Sequence, residues 1–270
     1  MSVQSAPYAL VGDVFTPEAI GSAAVVIQDG KIVDVVRSPR PDDLPRRHCE
    51  VRGLICPGFI DLQINGAFGI NVGPEPEPLE ALARELPKTG TTSFLPTAVS
   101  WPTERYDSFL EALEEAPQPP GARILGAHVE GPFLAPTRKG AHDPANLRPV
   151  DLRLTRKLIG SGMVRMMTLA PELPRAEEVI RLLADGGVVA SAGHTDADYE
   201  KMLRAIDVGP QHFSVAHRNG LVALRNHALV FRRPVVVAGR RVAGLEDRFH
   251  AHRGQPPYFC TNLPASNFVR

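Results

Sequence analysis

Short apolar runs alternate with segments of helical periodicity between residues 58 and 208, and this alternation constrains the fold more than any other feature. Because a strand followed by a helix returns the next strand to the same sheet in the same direction, the pattern is typical of a parallel sheet. Five such units, with no Gly-x-Gly-x-x-Gly after the first strand, favour an α/β fold of the (βα)8 TIM-barrel type over a doubly wound sheet. The runs predicted as strands are 58–64, 91–96, 124–130, 164–170 and 188–193.

A β-rich region without this alternation opens the chain. The stretch AVVIQDGKIVDVV holds two β-rich runs joined by Asp29-Gly30, whose tolerance of positive φ suits a two-residue hairpin turn. Further on, Thr195 and Asp198 have the spacing of a capping box and are predicted to begin a helix. We predict an N-terminal β appendage over residues 1–55, barrel strands 1 to about 6 over 56–213, and an atypical tail over 214–270.

Composition and charge limit the classes of partner. Lys+Arg and Asp+Glu each number 30 among 270 residues, so the charge balance favours neither nucleic acid nor a membrane surface as a partner. No apolar run approaches the length of a membrane span and no secretion signal is recognised, so we expect a cytoplasmic globular protein with a small-molecule ligand. The three cysteines show no metal-ligand spacing.

Polar side chains stand at the C-terminal ends of four predicted strands, where (βα)8 barrels carry their reactive groups. Glu130 and His194 form the strongest pair, because Zn and Fe(II) accept a carboxylate and a neutral imidazole as ligands. A structural explanation, hydrogen bonding inside the barrel mouth, stays open for all of these residues, and a solvated loop position is the default for His142. The polar residues at the four ends are Asp61, Gln63 and Asn65; His128 and Glu130; Glu172; and His194.

Five segments of the chain resemble a known family of enzymes. PGFIDLQINGAFGINV, TSFLPTAVS, HVEGPFLAPTRKGAHDP, TLAPE and SAGHTDADYE together resemble the N-acetylglucosamine-6-phosphate deacetylases of the amidohydrolase superfamily, from about residue 10 to 213. The resemblance implies a metal-dependent barrel with a small β-sandwich built from both chain ends. The Gln-x-Asn of DLQING occupies the place of a His-x-His motif, which implies one divalent metal ion, Zn or Fe, instead of two.

The resemblance also implies roles for individual residues. Glu130 and His194 match metal ligands, and His142 and Gln63 match positions that contact substrate, with Gln63 beside the vacant second metal position. The third ligand should be a histidine 21 residues after His194, where this chain has Val215; His212 and His217 lie nearby, and His217 is the candidate. The family's catalytic aspartate, from a Thr-Asp-Ala segment on the last barrel strand, has no match after residue 213, so the catalytic acid is unknown.

The implied reaction is hydrolysis of the acetamide of N-acetylglucosamine 6-phosphate to glucosamine 6-phosphate and acetate. The partner is then a small-molecule sugar phosphate, and a homodimer is left open. Two alternatives remain: another amidohydrolase acting on a cyclic amide or a dipeptide, and a non-catalytic remnant that binds a sugar phosphate or a partner protein.

The tail over residues 214–270 differs in composition from the rest of the chain. It holds nine arginines and no lysine, and Glu246 and Asp247 are its only acids. Two explanations stay open: a basic tail that binds a partner, and a tail of unrelated origin from a frameshift, a fusion or a misread reading frame. Because five or six strands leave two open edges where a closed barrel has none, the sequence predicts an incomplete barrel of low stability or activity.

Overall fold

The computed structural model describes residues 5–16, 19–115, 120–208, 213–215, 236–237 and 240–241. The chain divides into two compact units, Met1–Gly58 and Phe59–Arg270. The expected boundary after residue 55 stays a prediction, and most of the expected tail lies outside the described residues.

The first unit contains one four-stranded sheet. Its strand order is β3-β2-β1-β4, with β1 antiparallel to β2 and parallel to β4. Asp29 and Gly30 join β2 to β3 with φ of 51° and 72°, so the predicted hairpin turn is confirmed. A second layer of a sandwich stays a prediction. The strands are β1 Tyr8–Phe15, β2 Ala19–Gln28, β3 Lys31–Arg37 and β4 Arg47–Ile55, with a 3-10 turn at Pro41–Asp43.

A parallel sheet in the form of half a barrel dominates the second unit. Its hydrogen-bonded order is β13-β12-β11-β10-β8-β5, and β9 also pairs with β8. All of these pairings are parallel, as the alternating pattern predicts. Over the described residues, this half-barrel agrees with the predicted incomplete barrel of the TIM type. The strands are β5 Phe59–Ile64, β6 Gly66–Ala67, β7 Ile70–Asn71, β8 Thr91–Ala98, β9 Arg123–Ile124, β10 Ala127–Glu130, β11 Val164–Leu169, β12 Val189–Ala192, β13 Phe213–Val215, β14 Val236–Val237 and β15 Arg240–Arg241.

The third predicted strand is interrupted, because β9 ends at Ile124 and β10 begins at Ala127. Gly126 lies between them with φ of 131°, and a Cβ there would lie 2.4 Å from the carbonyl oxygen of Met163. The backbones approach closely at this point, and the N–H of Ala127 donates to the same carbonyl at 2.8 Å. A side chain at position 126 is therefore excluded, which the continuous apolar pattern did not reveal.

Five α-helices connect the strands among the described residues. The predicted capping box is wrong: Asp198 caps α5 by accepting the N–H of Lys201 at 2.8 Å, while the Thr195 hydroxyl bonds Glu172. Asp198 immediately precedes the first helical residue, where an N-cap acceptor reaches the third backbone N–H. The helices are α1 Pro76–Glu85, α2 Thr103–Glu115, α3 Leu152–Gly160, α4 Ala176–Asp185 and α5 Tyr199–Val208, with 3-10 turns at Leu86–Thr89, Pro136–Arg138 and Pro144–Asn146.

The apolar faces of these helices pack on the sheet and form one core. Phe94 of β8, Val129 of β10 and Met167 of β11 are fully buried, as are Phe109 of α2 and Ile180 of α4. This core fixes the strands relative to one another. The side chains at the C-terminal ends of the strands are therefore held at fixed distances from each other. Over the described residues, no helix has both the length and the apolar character of a membrane span.

We expect Phe94→Ala to lower the free energy of unfolding by about 3–5 kcal/mol, because it removes a fully buried ring from the core. Phe59→Ala on the neighbouring strand is the matched control, since Phe59 is 54% exposed and should cost about 1 kcal/mol or less. Urea unfolding measures both changes. Equal losses for the two variants would contradict the assignment of Phe94 to the core.

Candidate metal centre

Three side chains that can bind a metal meet at the C-terminal edge of the parallel sheet. Glu130 is the last residue of β10, His194 lies two residues beyond β12, and His142 lies in the loop between β10 and α3. Glu130 Oε1 is 3.0 Å from His194 Nε2, and Glu130 Oε2 is 3.8 Å from His142 Nε2. One donor atom from each residue lies within 4.8 Å of the other two. The sequence predicted the meeting of Glu130 and His194 from their strand ends.

The loop after β10 begins at a glycine that packs closely against Ser100. Gly131 has φ of 90°, and a Cβ there would lie 2.3 Å from Ser100 Oγ, so only glycine fits. The peptide bond between Gly131 and Pro132 is cis. Ser100 then anchors the returning loop, because its backbone N–H donates to His142 Nδ1 at 3.2 Å and its hydroxyl lies 2.9 Å from the same atom.

Two amide side chains, one in β5 and one directly after it, hold the carboxylate of Glu130. Gln63 Nε2 donates to Glu130 Oε1 at 2.9 Å, and Asn65 Nδ2 donates to Oε2 at 3.2 Å. Residues two apart on a strand point to the same side, so the Gln-x-Asn spacing explains why both amides reach one carboxylate. A buried carboxylate that accepts several hydrogen bonds is oriented as well as stabilised.

The partners of His194 identify where its protons lie. Nδ1 is 2.9 Å from the carbonyl oxygen of Arg138, which only accepts, so Nδ1 carries a proton. In the neutral ring Nε2 is then free of hydrogen, which is the form that binds a metal. Nε2 lies 3.0 Å from Glu130 Oε1, so a ring that takes up a second proton donates it to this carboxylate. A metal ion bound here would therefore replace that proton.

His142 has the opposite arrangement. Its Nδ1 accepts the backbone N–H of Ser100, so the neutral ring carries its proton on Nε2. That N–H points toward Glu130 and the centre of the cluster. A protonated ring nitrogen does not bind a metal but donates a hydrogen bond, which favours substrate contact for His142 over the role of third ligand. The default expectation of a solvated position is wrong, because His142 is 6% exposed.

The pKa values follow from this geometry. Burial alone would raise the pKa of Glu130, but His194 Nε2 at 3.0 Å and His142 Nε2 at 3.8 Å outweigh it and hold the pKa far below its usual range. The hydrogen bond to Glu130 raises the pKa of His194 against the effect of burial. Both shifts favour the charged forms of Glu130 and His194.

His128, another strand-end residue, does not join the cluster. It is fully buried, and its two ring nitrogens contact Thr97 Oγ1 at 3.3 Å and Thr168 Oγ1 at 2.8 Å. Burial lowers its pKa to about 4, so the ring is neutral at pH 7. Because the hydroxyls belong to β8 and β11 on either side of β10, His128 has a structural part in joining the three strands.

The remaining sequence candidates lie elsewhere or outside the described residues. Asp61 Oδ1 accepts the N–H of Gln63 at 3.0 Å, and burial raises the pKa of Asp61. Val215, at the position of the expected third ligand, ends β13 beside Ala192 of β12. His212 and His217 lie outside the described residues, so their assignment stays a prediction.

Ser100 is the site residue that sequence reasoning did not single out. The sequence could have indicated it, because Ser100 is a polar residue two positions after the end of β8, as His194 is two positions after the end of β12. The chain also contains a Thr-Asp-Ala segment at residues 195–197, but it lies in the turn after β12 and not on a last barrel strand.

Comparison with known proteins places this site in a family. Residues 54–249 match the amidohydrolase family. The chain belongs to the amidohydrolase family. The resemblance drawn from the five sequence segments is confirmed at this level, together with the parallel sheet that carries the site.

Individual relatives match part of their own length. An N-acetylglucosamine-6-phosphate deacetylase of Bacillus subtilis (strain 168) is 34% identical over 210 residues, covering 73% of this chain and 52% of that protein. An N-acetylgalactosamine-6-phosphate deacetylase of Shewanella sp. (strain ANA-3) is 38% identical over 177 residues, covering 64% and 44%. The crystal structure of N-acetylglucosamine-6-phosphate deacetylase from Pasteurella multocida has a TM-score of 0.67 at 26% identity, covering 80% of this chain and 60% of that one. The chain spans about half the length of the curated relatives it matches.

The donor set fits a divalent metal ion of the kind this family uses. A carboxylate oxygen and an imidazole nitrogen are ligands for Zn and Fe(II), and both are already oriented by hydrogen bonds to other groups. Identification of the metal as Zn or Fe stays a prediction.

We expect the Glu130–His194 ion pair to stabilise the metal-free protein within a limited pH window. The contribution of Glu130 is present above its usual pKa of 4.5 and is lost as the pH falls. The contribution of His194 is complete below its usual pKa of 6.5 and is lost as the pH rises through the raised value. Urea unfolding in chelator should therefore show the largest stability difference between wild type and Glu130→Gln from pH 4.5 to 6.5. A difference independent of pH would contradict the ion pair.

Proposed function

We propose that this chain is a metal-dependent deacetylase that hydrolyses the acetamide of N-acetylglucosamine 6-phosphate. The observation that carries the proposal is the convergence of Glu130, His142 and His194 on one point at the mouth of the sheet. The family match over residues 54–249 includes all three positions, and a relative whose name gives this activity covers 73% of the chain. A cytoplasmic location and the use of Zn or Fe(II) belong to the same proposal.

Different side chains of the site would have different roles in this reaction. Glu130 and His194 would hold the metal, and Gln63 and Asn65 would keep the Glu130 carboxylate oriented. When bound, the metal would activate a water molecule and polarise the amide carbonyl of the substrate. His142, whose Nε2–H points into the site, would donate a hydrogen bond to the substrate. His217 is the proposed third ligand.

The purified 270-residue chain, loaded with Zn or Fe(II), tests this function directly. We expect about one metal ion per chain and release of acetate from N-acetylglucosamine 6-phosphate at a low rate, because the sequence predicts an incomplete barrel of low activity. N-acetylgalactosamine 6-phosphate should be tested as a second substrate, because one matched relative is named as its deacetylase. Metal binding without turnover would favour the alternative of a non-catalytic sugar-phosphate-binding remnant, and turnover of cyclic amides or dipeptides alone would favour another amidohydrolase.

Glu130→Gln should abolish metal binding with little change in the fold. The amide oxygen is a weaker ligand than a carboxylate, and a strand-end side chain contributes little to the core. Metal analysis after dialysis should fall from about one ion per chain to nearly none, while the circular dichroism spectrum is retained. Full metal content in this variant would remove Glu130 from the ligand set.

His142→Asn should separate substrate contact from metal binding. If Nε2–H donates to the substrate, metal content is unchanged while kcat/KM falls about tenfold or more, as expected for one lost hydrogen bond. His48→Asn is the control, because His48 is an exposed histidine in the first unit. Loss of metal from His142→Asn would show instead that His142 is a ligand.

A further inference from the structure

Glu172 lies three residues beyond β11 and forms a second, acidic network beside the metal centre. It is partly buried, its Oε2 accepts the hydroxyl of Thr195, and its Oε1 accepts the N–H of Asp196 at 2.6 Å. Both donors belong to the turn that directly follows His194. The carboxylate therefore clamps this turn from the side of β11.

Asp196 continues the network to the loop after β10. Its carboxylate accepts the hydroxyl of Thr137 and Nε of Arg138, both in the 3-10 turn Pro136–Arg138. The carbonyl oxygen of Arg138 in turn accepts Nδ1–H of His194 at 2.9 Å. The network thus begins and ends at His194. Glu172 binds the turn that follows His194, and Asp196 binds Arg138, whose carbonyl oxygen accepts the hydrogen bond from the His194 ring.

His194 needs such support because of its backbone conformation. Its φ is 51°, in the left-handed region that residues with a Cβ rarely adopt. A conformation of this kind persists when surrounding contacts fix it, and the carbonyl of His194 is also held by the N–H of Ala135 at 2.9 Å. Gly140 leaves the room for the ring, since a Cβ there would lie 3.2 Å from Cε1 of His194.

We propose that Glu172, acting through Thr195 and Asp196, is a positioning residue that holds His194 with Nε2 directed at Glu130 for metal binding. The proposal rests on the metal site of the proposed function. A second group that fixes a ligating histidine sets both its tautomer and its ring direction, and loss of such a group typically weakens metal affinity about 10–100-fold. Glu172 itself makes no contact with Glu130 among the hydrogen bonds of the described residues.

The test measures the Kd for Zn²⁺ by competition with a chromophoric chelator, in the absence of substrate. We expect Glu172→Ala to weaken Zn²⁺ binding about 10–100-fold, and Glu172→Gln, which keeps one acceptor oxygen, to weaken it less. Glu178→Gln is the matched control, because Glu178 is an exposed carboxylate that pairs with Arg175 at 2.7 Å and lies outside the network. An unchanged Kd in Glu172→Ala would overturn the proposal.

A second variant tests whether the Glu172 substitution weakens Zn²⁺ binding only by disturbing the fold. Asp196→Asn alters the exposed end of the same network, where loss of the fold is not expected, and should weaken Zn²⁺ binding in the same direction. If the two residues act through one network, the double variant should lose less affinity than the product of the single effects. If the affinity losses of the two single variants multiply in the double variant, the two residues do not act through one network. If the weaker Zn²⁺ binding is explained by a lower unfolding midpoint of the metal-free protein, Glu172 is not a positioning residue.

The same measurements separate this proposal from the deacetylase assignment. Zn²⁺ binding that depends on Glu172 in a chain that releases no acetate would support positioning and refute the activity. Acetate release with a Kd independent of Glu172 would refute positioning alone. Absence of Zn²⁺ binding in wild type would refute both.

Discussion

The buried carboxylate of Glu130 is the group on which the rest of the site depends. An ionised side chain removed from water is stable only if other groups replace the lost hydration. Polar groups from the end of β5, from the loop after β10 and from the turn after β12 surround the two oxygens: Gln63, Asn65 and His194 within hydrogen-bond distance, and His142 at 3.8 Å. One charge thereby brings three separate parts of the chain together at one site.

Hydrogen bonds to other groups orient both side chains of the pair. Nδ1 of His194 donates to the carbonyl of Arg138 and Gln63 donates to Glu130, so neither contact uses the His194 Nε2 that faces Glu130. The two histidines differ because their neighbours differ: a carbonyl faces Nδ1 of His194, and a backbone N–H faces Nδ1 of His142. Chemically identical side chains therefore take on different roles.

Much of this arrangement was readable from the chain itself. The alternation of apolar strand-like runs with segments of helical periodicity predicted a parallel βα sheet. Asp29-Gly30, which tolerates positive φ, predicted a hairpin turn. Because parallel strands end at one edge of a sheet, the positions of Glu130 and His194 in their strands were enough to predict that they meet. These are local properties of sequence, since they depend on period and spacing within about ten residues.

Only the tertiary structure decided how the loops close over that edge. His142 lies in a polar loop, and its burial depends on Ser100, which is 42 residues away in sequence. Thr195 has the local spacing of a helix cap, yet its hydroxyl bonds Glu172 from another strand end, and Asp198 takes over the cap. The physical reason is the same in both cases: a polar side chain with several partners within reach is placed by contacts that form only when distant segments pack together.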